Sequence, residues 1–364
     1  MIQSDQDAMR LALEWAAKGM FITAPNPRVG CVIVKNGEVI GAGHTQPPGQ
    51  AHAEVQALRD AATAGRDVKG ATAYVTLEPC SHYGRTPPCA DALIASGVAR
   101  VVAAIGDPNP LVAGQGFAKL RAAGIEVESG VLEDEAREMN IGFFSRIERG
   151  KPWVRMKAAA SLDGKTALYN GKSQWITSPE ARADGHLWRA RACAILSGIG
   201  TVRVDNPQLN VRGVDTPRQP IRIVVDRDLE LAPSARVLDG GGTLVIAARR
   251  DPEKEAALLD RGAEIIVLPN PHGKVDLPAL MLELGRRQIN ELHLESGYKL
   301  NGSLIREGCV DELLLYFAPD LLGAAQGMFE LPAIEDLAER RHLAFHEARM
   351  IGPDLRILAR FKSL

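Results

Sequence analysis

The chain has 364 residues, 46% hydrophobic and 24% charged, with 43 basic against 45 acidic side chains and a formal net charge of −2. That length suggests two or three domains of ordinary globular composition, and the even charge excludes the basic surplus that nucleic-acid binders carry. No apolar run is long enough to span a bilayer, and five cysteines, Cys31, Cys80, Cys89, Cys193 and Cys309, are too sparse and odd a set for a disulfide framework, which points to a reducing compartment.

The amino terminus, Met1 to Asp7, has neither a cationic start nor an apolar core, so no secretory signal is expected and the expected location is the cytoplasm. From Asp5 to Gly19 the spacing of Met9, Ala12, Leu13 and Ala16 predicts a helix, capped by Asp5 and ended by Gly19. A Pro-containing loop follows, then a strand over Val29 to Val34, a turn at Asn36-Gly37, and a return strand over Val39 to Ala42. Asn-Gly tolerates the positive φ of a type I′ turn, so these two strands read as a hairpin. His52 opens a helix that runs to about Ala64, and a strand covers Ala71 to Thr76. Cys89 opens a second helix, to Ala95, after which strand and helix alternate: Val101–Ile105, Gln115–Ala123, Glu126–Glu128 and Glu133–Ser145. Alternation of this kind predicts α/β layering with mostly parallel strands.

Arg146 to Pro152 is charged, apolar-poor and closed by Gly150 and Pro152, and is read as a domain boundary, giving units 1–147 and 151–364. The second unit repeats the α/β pattern, with strands over Val154–Ala159, Cys193–Ser197, Ile221–Asp226, Thr243–Ala248, Glu264–Leu268, Glu291–Glu295 and Asp311–Phe317. Its end, His342 to Phe361, reads as two strands about the Gly352-Pro353-Asp354 turn.

The chemistry concentrates in two short stretches of the first unit. His52-Ala53-Glu54 and the run from Glu78-Pro79-Cys80 to Pro87-Pro88-Cys89 supply one imidazole, two thiols and a carboxylate beside the imidazole. Zinc binds His and Cys well, and three protein ligands leave the fourth position for water, where four would make a structural staple. Glu54 is then the proton-handling acid of a zinc deaminase, with His52, Cys80 and Cys89 as the metal ligands. The spacing departs from the shorter Cys-x-x-Cys of that signature, because Ser81 to Pro88 lies between the cysteines. Two helix amino termini converge on this point and favour thiolate there. His82 is the candidate that would close the site, and it is not taken as a ligand, since a closed site could not activate water.

The second unit has no complete nucleotide fingerprint. Ser197-Gly198-Ile199-Gly200-Thr201-Val202 has two glycines of G-x-G-x-x-G and lacks the third, and Gly297 to Ser303 lacks the Gly-Lys-Ser/Thr ending of a P-loop. What remains is a Gly-bounded turn opening a helix, suited to an anion and equally to a plain strand-to-helix connection. Arg189, Arg212 and Arg222 are candidates to pair a phosphate. Trp175 is a candidate to stack on a flat heterocycle, with a core position the equal alternative.

Taken together, Asn26-Pro27-Arg28-Val29-Gly30, His52-Ala53-Glu54, Glu78-Pro79-Cys80, the Gly84-Arg85-Thr86-Pro87-Pro88 insert, Lys157 to Ala167 and Ser173-Gln174-Trp175-Ile176-Thr177-Ser178 make the chain resemble, end to end, the bifunctional deaminase/reductases of riboflavin biosynthesis. The insert is what separates that family from cytidine and tRNA-adenosine deaminases, and it accounts for the long cysteine spacing. The resemblance implies an α/β fold with an N-terminal cytidine-deaminase-like three-layer domain and a C-terminal dihydrofolate-reductase-like domain. It implies Zn2+ and NADPH as cofactors, hydrolytic loss of an amine from a phosphoribosylated pyrimidine, and then reduction of the ribosyl chain to ribityl. By matched position, Ala159, Trp175, Thr201 and Asp205 would contact NADPH, with Gly297, Tyr298, Lys299, Leu300, Asn301, Gly302 and Ser303 as a loop taking its phosphate. Ser173, Arg189, Leu209, Arg212 and Glu295 would hold the reductase substrate, and Asn26 and His44 would belong to the deaminase pocket. Tyr298 and Lys299 depart from the family pattern in the cofactor loop, where Lys299 adds a cation. The implied partners are the pyrimidine substrate and further copies of the chain, as a dimer or tetramer, with no nucleic acid and no membrane. The competing readings are a nucleotide or tRNA-base deaminase with an unrelated second domain, and a zinc-stabilised binding module closed by His82.

Overall fold

The computed structural model describes residues 1–82, 87–110 and 112–362, so Gly84, Arg85 and Thr86 of the insert lie outside the described residues. The chain divides into two compact units, Met1–Gly150 and Lys151–Leu364.

The first unit begins with helix α1 (Asp5–Lys18), whose start is capped by the Ser4 hydroxyl accepting from the Asp7 N–H. Ser4, one residue before the expected cap, takes that role because its hydroxyl reaches the third residue on. Strands β1 (Gly30–Lys35) and β2 (Glu38–His44) form the expected hairpin about Asn36 and Gly37, both at positive φ. Helix α2 (Ala53–Thr63), β3 (Thr72–Val75), α3 (Cys89–Ser96), β4 (Arg100–Ala103), α4 (Gln115–Ala122) and β5 (Glu126–Ser129) follow. The sheet order is β2-β1-β3-β4-β5. The strand alternation predicts parallel neighbours, and β3-β4 and β4-β5 are parallel, but β1 runs antiparallel to both β2 and β3. The hairpin turn reverses the chain once, so only the strands reached through helical crossovers are parallel.

Glycines in the hairpin bring helices close on both faces. A Cβ on Gly30 would lie 1.8 Å from the Ala12 carbonyl oxygen of α1, and one on Gly43 would lie 2.7 Å from the Ala53 carbonyl oxygen of α2. Because residues paired across the hairpin share a face, Cys31 and Ile33 look toward α2 with Gly43 and Gly41, and Val32 and Ala42 look toward α1. The core between the layers is built from Ala8, Met9, Ala12, Val32, Ile33, Ala57, Val75, Leu93, Val101 and Phe144 among others.

The helix predicted over Glu133 to Ser145 is two helices, α5 (Glu133–Met139) and α6 (Ile141–Arg149), separated at Asn140. The buried Asn140 amide accepts the Arg28 N–H at 2.7 Å and donates to the Arg28 carbonyl at 2.9 Å. Arg28 also reaches the carbonyls of Met20 and Met139 with its guanidinium. The Asn26-to-Gly30 motif therefore works in this fold as the seam between the first strand and the last helices. Helix α6 runs through Arg146–Arg149, the stretch read as a linker, and ends at Gly150 with φ 71.

In the second unit, β6 (Trp153–Ser161), a short β7 (Lys165–Ala167), α7 (Pro179–Arg191), β8 (Ala194–Gly198), α8 (Ile199–Asp205), β9 (Ile221–Val225), β10 (Thr243–Ala247), α9 (Pro252–Leu259), β11 (Ala263–Val267), α10 (Leu277–Arg286), β12 (Glu291–Leu294), α11 (Tyr298–Arg306), β13 (Glu312–Ala318), a two-residue β14 (Gln326–Gly327), β15 (Leu343–Ile351) and β16 (Asp354–Phe361) follow in chain order. The large sheet runs β11-β10-β9-β8-β12-β6-β13-β16-β15, parallel from β11 to β13 and antiparallel across the terminal β15-β16 hairpin. Strand β12 returns from the far side to insert between β8 and β6, which creates the switch point where open α/β sheets bind ligands, beyond the carboxyl ends of the strands. Beneath it, the buried Arg155 of β6 pairs with Glu291 of β12 and Glu312 of β13, locking the starts of the three central strands together.

Candidate active sites

His52 is the cap residue of α2, extended at φ −77 and ψ 169, and Glu54 sits in the first turn, 3% exposed. Cys80 follows β3, and Cys89 is the first residue of α3. The two cysteines are brought together by Cys89 donating its N–H to the Cys80 sulfur at 3.3 Å and Ala90 donating to the Cys80 carbonyl at 3.1 Å. His52 Nδ1 lies 3.6 Å from Cys80 Sγ and 3.3 Å from Cys89 Sγ, and the three ligand atoms fall within 4.8 Å of one another. One imidazole and two thiols facing a common point, with two helix starts behind them, is a donor set made for zinc.

The three groups share protons among themselves. A hydrogen bond with Cys89 and another with His52 hold the Cys80 thiol well below its usual range, while Cys89 keeps the shared proton and is pushed up. The hydrogen bond to Cys80 raises His52. Burial, seconded by the negative charge of Cys80 and opposed by His52, pushes the Glu54 carboxyl up to about 7, the range in which a carboxyl both accepts and returns a proton at neutral pH. His82 is exposed and outside the trio, so among the described residues the donor set stops at three. His44 ends β2 and stacks its ring on Trp15 of α1 at 6.3 Å, and Asn26 follows the Thr23 turn. Among the described residues no hydrogen bond joins either to the trio.

In the second unit the carboxyl ends of β6, β8 and β12 gather most of the remaining candidates. Arg189 of α7 holds Glu295 with two bonds, Nε at 2.5 Å and Nη2 at 2.7 Å, and donates Nη1 to the Asn210 carbonyl at 2.9 Å. Arg212 donates to the Asn210 side chain at 2.7 Å, and its backbone N–H donates to His186 Nδ1 at 3.1 Å. Burial alone would raise Glu295, but the charge and hydrogen bonds of Arg189, with help from His293, hold the carboxyl well below the usual range. Leu209 is buried at φ 48, where the chain turns into this cluster. The Gln174 amide bonds the Asp205 carboxylate at 3.5 Å, which ties the Ser173–Trp175 stretch to the end of α8. Trp175 is 69% exposed with the Arg182 guanidinium 4.6 Å over its ring, so the core alternative is excluded.

Gly297 caps α11, and Tyr298 to Ser303 are helix where a loop was expected. Their roles separate accordingly. The first-turn N–H groups have no helical partner and can meet a phosphate. Asn301 is buried and donates its amide to the Met328 carbonyl, and a Cβ on Gly302 would strike the Glu330 carbonyl at 2.0 Å, so both are packing positions. Lys299 is exposed beside the Tyr298 ring. A Cβ on Gly297 would sit 3.5 Å from the Thr201 hydroxyl, and one on Gly198 would sit 3.0 Å from Leu300. Glycine at those two positions lets the start of α11 come against α8 and the end of β8, which sets its first-turn N–H groups at the strand ends.

Two members of this cluster were not singled out by sequence. Lys157 of β6, quoted in the family motif but given no role, is lowered by burial and faces Glu295 and Arg189. His186 shares a face of α7 with Arg182 and Arg189 at helical spacing, a pattern that one charged residue among several did not reveal.

The matches to known proteins divide along the same line. Residues 2–105 match the cytidine and deoxycytidylate deaminase zinc-binding region, and residues 152–357 match the RibD C-terminal domain. The riboflavin biosynthesis protein RibD of Escherichia coli is 47% identical over 96% of this chain and 98% of its own length, and that of Haemophilus influenzae is 45% identical over 97% of each. The chain belongs to the RibD family. RibD of Acinetobacter baumannii superposes with a TM-score of 0.90 at 41% identity, covering 99% of both chains. A Thermotoga maritima diaminohydroxyphosphoribosylaminopyrimidine deaminase/5-amino-6-(5-phosphoribosylamino)uracil reductase does so at 0.87 and 32% identity, covering 98% of this chain and 99% of that one. RibD membership makes the protein a bifunctional enzyme of riboflavin biosynthesis, a zinc deaminase joined to a reductase, with Zn2+ and NADPH as cofactors. The rivals, a base deaminase with an unrelated second domain and a zinc-closed binding module, are set aside by the same matches.

Proposed function

We propose that the first unit removes the 2-amino group of 2,5-diamino-6-(5-phosphoribosylamino)pyrimidin-4(3H)-one as ammonia, and that the second reduces the ribosyl chain of the product to ribityl. The observation that carries this reading is the buried Glu54 beside the His52, Cys80 and Cys89 trio. Those three side chains would hold the zinc, which supplies the Lewis acid that makes water nucleophilic at neutral pH. Glu54 takes one proton of the attacking water and delivers it to the ring nitrogen, then carries the second, from the resulting hydroxyl, to the leaving amine, so that one water and one amine become one carbonyl and ammonia. Asn26 and His44 complete the pocket at its rim.

In the second unit NADPH supplies hydride to the sugar C1′. Ala159, Trp175, Thr201, Asp205 and the start of α11 form its cradle, with backbone N–H groups at Gly297–Leu300 taking phosphate, while Asn301 and Gly302 hold the helix in place behind them. Ser173, Leu209, Arg189, Arg212 and Glu295 hold the sugar phosphate, the arginines as its cationic partners. The proposed domains are 1–147 and 151–364; α6 runs on to Arg149, so residues 148–150 belong with the first unit. A homo-oligomer, dimer or tetramer, is supported by edge strand β15, which leaves Phe345 80% and Met350 60% exposed. The proposed location is the cytoplasm, and no helix of the described residues is long and apolar enough to cross a membrane.

The test is Glu54→Gln. Ammonia release is expected to fall by about a thousandfold or more, with zinc content and NADPH oxidation on the deaminated substrate unchanged. Full ammonia release in that variant would sink the assignment of Glu54.

A further inference from the structure

Glu78 stands two residues before Cys80 and supplies no ligand to the metal trio. Its carboxylate is 4% exposed and accepts four backbone N–H groups from a single stretch of chain. Oε2 takes those of Asp107 at 3.2 Å and Gly114 at 3.0 Å, and Oε1 takes those of Gly116 at 2.9 Å and Phe117 at 3.3 Å. An ionised carboxylate has about four acceptor sites, so this one is filled entirely by main chain. Gly116 makes the approach feasible, because a Cβ there would lie 2.0 Å from the Pro79 carbonyl oxygen and 3.1 Å from Glu78 Oε1. The Glu78 N–H in turn donates to the Ile105 carbonyl at 2.9 Å. Both ends of the turn that starts at Asp107 are thus clamped to the strand end that delivers Cys80.

The start of α4 abuts the segment beside Cys80, because Gly116 lies against the Pro79 carbonyl, and α4 packs on α3, which Cys89 opens. The Asp107 carboxyl is raised by burial, against the pull of the Asn109 N–H, and it also feels the charges of Glu78, His82 and Cys80. An apolar side chain here would leave four backbone N–H groups unpaired, so the carboxylate is what holds this turn in place. Here the anion fixes one turn to one ligand-bearing segment with four bonds.

We propose that Glu78 is a positioning residue of the deaminase: by clamping the Asp107 turn and the start of α4 against the Cys80 segment, it sets the pocket wall against which the pyrimidine is held, touching neither metal nor substrate. This rests on the reading of His52, Cys80 and Cys89 as the deaminase metal site.

The experiment uses the full-length zinc-loaded chain carrying Glu78→Gln and, separately, Glu78→Asp, which keeps the carboxylate and withdraws it from the turn by one methylene. Zinc per chain, kcat and KM for ammonia release, and reductase turnover on the same samples are measured. Both variants are expected to keep wild-type zinc and reductase turnover, with KM for the diaminopyrimidine raised about tenfold or more and kcat lowered by less than about threefold. An unchanged KM overturns the inference. So does joint loss of zinc and ammonia release in Glu78→Gln, which would assign the carboxylate to holding Cys80. If that variant yields no folded chain, Glu78→Asp decides by the same KM criterion. A wild-type protein that binds no zinc, or a fully active Glu54→Gln, fails at the earlier reading instead.

Discussion

His186 accepts the Arg212 N–H on Nδ1, which requires the ring to be neutral and to carry its hydrogen on Nε2. Burial, together with the charges of Arg189, Arg212 and Lys157 and against the pull of Glu295, pushes this imidazole down to about 4. The folded state therefore takes up the proton less readily than the unfolded chain, whose histidine titrates at about 6.5. Stability that is full above about 6.5 must fade as pH falls toward 4, by on the order of 1–2 kcal/mol once solvent screening is allowed for. His186→Asn should flatten that part of the stability-against-pH curve, and imidazole NMR should show a ring that stays neutral at pH 5.5. The same substitution loosens the Arg212 backbone, so the reductase KM for its phosphorylated substrate should rise while KM for NADPH holds. Lys299 offers the reverse pattern. It is exposed at the first turn of α11, and Lys299→Ala should raise the NADPH KM about threefold or more, as expected for one exposed cation near a phosphate. An unchanged value would leave the helix N–H groups as the sole phosphate donors there.

At the scale of elements, the break between α5 and α6 is the feature that sequence periodicity concealed. The apolar spacing from Ala136 to Phe144 continues across Asn140, and asparagine inside a helix is only mildly unfavourable. What ends α5 is a tertiary bond, the Asn140 amide pairing with both backbone groups of Arg28 more than a hundred residues away, and no local window contains that partner. Asn140→Leu should leave a buried N–H and a buried carbonyl unpaired and cost about 2–4 kcal/mol, read as a lowered denaturant midpoint. Asn140→Asp keeps the acceptor and loses the donor, and should fall between the two. Elements with strong local signals were legible: Asn36-Gly37 announced the hairpin, and the His52 and Cys89 helix starts were visible because the ligand residues are themselves the first residues of their helices. Strands β7 and β14 were invisible, since three and two residues carry no alternation to detect. The metal trio was readable because zinc demands particular residue types, whereas Glu78 was not, because its partners are backbone groups without identity in the sequence.

At the scale of the whole chain, the two units have separate cores and separate cofactors, which gives a clean expectation for metal removal. Zinc held by His52, Cys80 and Cys89 would draw α2, α3 and the Cys80 segment together, so its binding energy would also be folding energy for the first unit. The second unit contains no part of the trio. Chelation should abolish ammonia release and lower the unfolding temperature of the first unit. NADPH oxidation on the deaminated substrate should continue at its original rate. NADPH at about 100 times its Kd should stabilise the second unit by about 2.7 kcal/mol through mass action and leave the first unit where it was. A calorimetric scan resolves the two effects as independent shifts of two transitions. If chelation instead stopped hydride transfer to supplied substrate, the reductase would depend on the metal-held unit for more than its substrate. The physical separation of the two chemistries, one resting on the His52, Cys80 and Cys89 side chains and the other on helix N–H groups and arginines at strand ends, would then be wrong.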